Sequence, residues 1–106
     1  MWKANGANLE MTEGDYGIAL PITVSGVTLG ASDTLQITVK KFPDGANLIV
    51  KPYTAVEDNT VNLEFTEAES NLLKVGSYTY TLDWFRLGNF MCNIIPKGTL
   101  RVVDKA

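Results

Sequence analysis

The sequence predicts an all-β sandwich of roughly seven to eight short antiparallel strands with one short helical crossover. Two observations lead there. Apolar and polar residues alternate with period two, most clearly over residues 35–39 and 78–84, as in strands with one buried face. Between such runs stand turn residues, and a single stretch, residues 66–69, has a helix-start pattern.

Taken in order, residues 1–6 read as a loose N-terminal arm of a single domain spanning 1–106. Its Trp2 is either an incidental aromatic of a tail or an anchor on a neighbouring subunit. Residues 7–12 read as a short edge strand with Leu9 and Met11 inward. After the turn Glu13-Gly14-Asp15, Ile18, Leu20, Ile22 and Val24 mark a second strand. Pro21 confines it to an edge or a bulge, because proline offers no ladder N–H. A loop of small residues over 25–32 follows.

Leu35, Ile37 and Val39 form the core side of the next strand. Phe42-Pro43-Asp44-Gly45 is a turn, with proline and glycine placed for it. The return strand starts at Leu48 and ends near Tyr53. Glu57-Asp58-Asn59 turns the chain into a strand with Val61, Leu63 and Phe65 inward. The only concentrated positive charge, Lys40-Lys41 and Lys51, reads as solubilising lysines on exposed or edge strands.

Thr66 and Glu69 have capping-box spacing: the hydroxyl accepts the Glu69 N–H and the carboxylate accepts the Thr66 N–H. Leu72 and Leu73 supply an apolar side, and Gly76 is expected to end the helix in a left-handed conformation. Then Tyr78, Tyr80, Leu82 and Trp84 face inward. A short helix followed by Gly-x-Tyr-x-Tyr resembles the corner before strand F of an immunoglobulin-like sandwich. By that resemblance Tyr78 is the corner tyrosine, bonding upstream backbone, and Tyr80 stands where antibody domains have a cysteine. Thr66, Glu69, Gly76 and Tyr78 are thus the expected structural corner.

Gly88-Asn89 is the expected turn pair of the last hairpin. Strict alternation beyond it turns Phe90, Cys92 and Ile94 inward and Met91, Asn93 and Ile95 outward. Trp84 and Phe85 are adjacent and point to opposite faces, with Trp84 inward by the register of Tyr80 and Leu82. Phe85, Met91 and Ile95 are therefore expected to form an apolar patch with Arg86 at its rim. They are the candidate partner surface, unless Trp2 folds over them.

Composition excludes several chemistries. The 106 residues include no histidine and one cysteine, Cys92. Histidine-based triads and the commonest metal ligand are absent. Cys92 reads as a small buried hydrophobe, and a lone cysteine forms no internal disulfide. The acidic pairs Glu13/Asp15, Glu57/Asp58 and Glu67/Glu69 lack the alternating oxygen ligands of a calcium loop. No cofactor, metal or catalytic residue is expected. A net charge of −3 disfavours nucleic acid and anionic membrane. The N-terminal residues show no signal-peptide pattern, and no apolar run has membrane-spanning length.

Several segments together resemble the N-terminal immunoglobulin-like domain of the phage baseplate upper protein family. They are Asp15-Tyr16, Leu20-Pro21-Ile22-Thr23-Val24, Asp33, Ile37-Thr38-Val39-Lys40, Lys51-Pro52-Tyr53 and Glu69-Ser70 with Leu72-Leu73. Gly76-Ser77-Tyr78-Thr79-Tyr80 and Gly98-Thr99-Leu100-Arg101-Val102 complete the set. The resemblance implies a non-enzymatic structural protein of a phage or prophage tail, made in the host cytoplasm and built into the virion. Its expected partners are other virion or tail proteins; the apolar patch adds self-association as a candidate, and a host-surface glycan has no support in the sequence. The same fold also serves bacterial surface adhesion and carbohydrate-binding modules, the alternative reading.

Overall fold

The computed structural model describes residues 2–42, 45–54, 56 and 58–104. The chain is an all-β sandwich with one short helix. The strands are β1 Lys3–Asn5, β2 Asn8–Thr12, β3 Leu20–Thr23, β4 Asp33–Lys40, β5 Asn47–Thr54, β6 Thr60–Leu63, β7 Gly76–Arg86 and β8 Asn89–Val103, with α1 Glu67–Ser70 before β7. Six strands form a mixed sheet in the order β1-β2-β8-β7-β4-β5, and β3 pairs with β6 in a small second sheet. β7, in the place of strand F, lies between β8 and β4, as F lies between G and C in immunoglobulin-like sandwiches.

The period-two segments form the core. Leu35, Ile37 and Val39 of β4 and Tyr78, Tyr80 and Leu82 of β7 are buried. Val61 and Leu63 of β6, with Phe65 beyond it, are also buried. Pro21 sits on β3, which among the described residues pairs on one side only, with β6, so its missing N–H costs no ladder bond. Asp58 and Asn59 both have positive φ, 53° and 55°. From there the Asn59 amide donates to the carbonyls of Val24 and Val27 and accepts from the Leu29 N–H. One turn residue thereby organises the loop of small residues. Pro43, Asp44 and Glu57 of the expected turns lie outside the described residues, although Gly45 N–H donates to Phe42 O at 2.9 Å.

The capping box forms as its spacing requires. Glu69 N–H donates to Thr66 Oγ1 at 3.2 Å and Thr66 N–H to Glu69 Oε1 at 2.9 Å. Lys51 Nζ reaches the same carboxylate at 2.6 Å, tying β5 to the helix. Lys51 is therefore a half-buried tie, not the free solubilising charge expected of it. Burial pushes the Glu69 carboxyl up, but Lys51 and Thr66 outweigh it and hold the group below its usual range.

The corner tyrosine is also in place. Tyr78 O–H donates to Lys74 O at 3.0 Å and accepts from Lys74 N–H at 2.8 Å. Gly76 differs from expectation. The helix already ends at Ser70, capped by Asn71 in right-handed conformation. Gly76 instead opens β7, with φ of 147°, where a Cβ would press on Lys41 Nζ. Leu73 is buried, whereas Leu72 is exposed.

The N-terminal arm is ordered, which corrects the expectation of a loose tail. Residues 3–5 pair with β2 as a hairpin, so β1 is the edge and β2 runs parallel to β8. Trp2 Nε1 donates to Ile18 O at 2.8 Å, and its ring lies 5.8 Å from that of Phe65. An indole with its N–H satisfied on the core surface explains the ordering. Trp2 accordingly covers Phe65 and not Phe85.

Candidate functional site

The expected partner surface lies on the hairpin of β7 and β8, and the pairing there rearranges it. β7 ends at Arg86 and β8 starts at Asn89, so the turn pair is Leu87-Gly88, one residue earlier than expected. Both residues have positive φ, 52° and 81°, as a two-residue turn with two left-handed positions requires. Gly88 adopts this freely. Leu87 pays a steric penalty, since asparagine, aspartate or glycine normally takes that position. Its N–H donates to Ser32 O at 2.9 Å, and its side chain is 77% exposed.

Register shifts interrupt the β7–β8 ladder between Tyr80 and Leu82, between Leu82 and Asp83, and between Trp84 and Phe85. Each leaves extra residues on β8, so strict alternation fails there. Phe85 pairs with Phe90, Trp84 with Cys92, Asp83 with Asn93 and Leu82 with Ile95. Directly paired residues share a face. Phe90 therefore stands outside with Phe85, not inward, and the rings meet edge to face at 5.7 Å. Ile95 turns to the core side with Leu82 and packs against the core. Cys92 is exposed, contrary to the buried position expected of it. Residues 89–93 are all exposed, because this end of the hairpin has open solvent on both faces.

Of the expected surface, Met91 is exposed at 45% and Phe85 is half-buried. Arg86 is not a free rim charge. Its Nε donates to Asp33 Oδ1 at 2.8 Å and its Nη2 to Asp33 Oδ2 at 3.4 Å. Trp84 Nε1 also donates to Asp33 Oδ1, at 2.8 Å, and Gly30 N–H donates to Oδ2, at 2.8 Å. Asp33 is buried, and its carboxylate thus receives donors from β7 and from the loop before β4. The Arg86 hydrogen bonds, followed by that of Trp84, hold its carboxyl at about 2. Asp33 likewise holds the Arg86 guanidinium above its usual value. This cluster fixes the base of the hairpin and leaves no group free for acid–base chemistry.

β2 pairs with β8 only at residues 99–103. Among the described residues, the rest of β8 has β7 on one side and no strand on the other. Among the described residues, no three His, Cys, Asp or Glu side chains group as metal ligands. No helix among them is long and apolar enough to cross a membrane. Compared with known proteins, the chain matches no family model, no curated protein and no solved structure.

Proposed function

We propose that the chain is a non-enzymatic assembly domain of a phage or prophage tail or baseplate, acting through protein–protein contacts at the tip of the β7–β8 hairpin. The observation that supports a contact there is Leu87. A large apolar side chain stands almost fully in solvent, on a backbone conformation that disfavours it. Backbone strain of this kind costs about 1–3 kcal/mol and clusters where function uses it. Beside it Met91 is exposed on the bulged start of β8, and flexible methionine suits interfaces. The contact surface is thus Leu87 and Met91, with Arg86 and Ile95 held by the domain itself. The virion setting rests on the sequence resemblance alone.

The test is mass spectrometry of purified particles from an induced culture of a bacterium bearing the gene. The chain is expected in the particle fraction, and Leu87→Asn with Met91→Ser should reduce its incorporation. Finding the chain only among non-particle proteins would overturn the virion reading. Equal incorporation of parent and variant would overturn the contact.

A further inference from the structure

The face of the large sheet turned away from the core has a second arrangement, set by register across β4, β7 and β8. One row holds Thr34, Phe85 and Phe90, and the next holds Gln36, Asp83 and Asn93. Rows two residues apart lie about 7 Å apart along the strands. Leu35 and Trp84, between the two rows, turn to the core side, so all six side chains lie on the opposite face.

The two rows differ in chemistry. Phe90 is exposed at 56% and rests edge to face against Phe85. In the neighbouring row Asn93 Nδ2 donates to Asp83 Oδ1. That bond aligns two planar groups side by side and leaves Asp83 Oδ2, Asn93 Oδ1 and one amide hydrogen open. Gln36 stands directly across from Asp83 as a third planar group. Neither Gln36 nor Thr34 makes a side-chain hydrogen bond among the described residues.

We propose that this face binds a neutral saccharide, Phe90 and Phe85 taking the apolar face of a sugar ring and Asp83, Asn93 and Gln36 its hydroxyls. A pyranose ring has C–H groups on its faces and hydroxyls around its rim. It is recognised where an aromatic surface adjoins fixed donors and acceptors. Aromatic faces carry negative charge density that attracts C–H groups. Planar amides and carboxylates offer adjacent donors and acceptors, which suits neighbouring hydroxyls. The Asp83–Asn93 bond holds two of these groups in place before binding, which lowers the ordering cost. An apolar protein surface laid here would leave the free Asp83 oxygen buried without a partner, a costly outcome. Asp83 is the only charged side chain of the six, so acidic sugars are repelled. The face is open, so single-site affinity is weak and multivalent display strengthens it. The site lies on the sheet face next to the Leu87 and Met91 contact, and does not depend on the assembly reading.

The experiment displays the intact chain in multimeric form on an array of neutral hexose and N-acetylhexosamine oligosaccharides, with acidic glycans alongside. Phe90→Ala and Gln36→Ala are run in parallel, each checked for parental melting temperature. The expected result is binding to at least one neutral glycan, reduced at least tenfold by Phe90→Ala and several-fold by Gln36→Ala. Binding to no glycan, to acidic glycans only, or equally by parent and folded Phe90→Ala overturns the proposal. An empty array leaves the particle-fraction result untouched, so the two readings fail separately.

Discussion

The ring of Tyr80 lies across Gly98, its partner on the neighbouring strand. An added Cβ at Gly98 would fall 2.9 Å from Tyr80 Cδ1 and closer still to Cε1 and Cζ. The missing side chain is the space the tyrosine occupies. From there Tyr80 O–H reaches Ala7 O at 2.8 Å, joining β7 to the turn between β1 and β2. Tyr80 is thus a buried ring laid on a glycine of the neighbouring strand. Gly98→Ala should therefore cost about 1–3 kcal/mol through overpacking. In urea denaturation the loss should shrink when Tyr80→Leu is present, because the ring is what the methyl meets.

Tyr78→Phe removes a hydroxyl that both donates to and accepts from Lys74 backbone. The expected loss is about 0.5–1.5 kcal/mol, read as a lower denaturation midpoint at unchanged slope. Equal midpoints would show that the corner bonds contribute nothing.

Asp33 gives the fold a defined acid response. Its carboxyl is held at about 2, below the ordinary 3.8, chiefly by Arg86 and Trp84. A depressed folded-state value means stabilisation that is present above about pH 4. It is lost as pH falls through the folded value near 2. Melting temperature should accordingly drop over that interval. Asp33→Asn should lower it at neutral pH and flatten its acid dependence; an unchanged acid limb would contradict the assignment.

Leu87→Asn relieves a left-handed backbone and should stabilise the isolated domain by about 1 kcal/mol. A gain in stability with a loss of particle incorporation is the outcome expected of a strained contact residue. A loss of stability would mean that the Leu87 side chain supports the hairpin itself.

Cys92 should label rapidly with a thiol reagent in native buffer, since it is exposed. Labelling only on unfolding would contradict the solvent exposure of this end of the hairpin. The register of β8 marks how far the sequence could be read. β4, β6 and most of β7 were legible because each keeps one alternation along its length. The capping box and corner tyrosine were legible because their partners lie within four residues. The bulges of β8 were not, since a bulge is defined by the opposing strand and leaves no local pattern when both neighbours are apolar. Strict alternation therefore misplaced Phe90 and Ile95 together, whereas Cys92 keeps its expected side opposite Trp84 and is exposed because this end of the hairpin stands in solvent. Asp33 gave no local signal either, because Trp84 and Arg86 reach it from more than fifty residues away. β1 is short and polar, and its ordering comes from pairing with β2 and from the Trp2 indole, both tertiary effects.

The parallel pairing of β2 with β8 gives the domain a direction of mechanical strength. When the two ends are pulled apart, β1 should peel from β2 one pair at a time, since a hairpin unzips. β2 and β8 run the same way, so the pull then acts along both strands, and their bonds must slide and break together. A domain loaded through its terminal strands in this way yields first at a small N-terminal tab and then resists in shear.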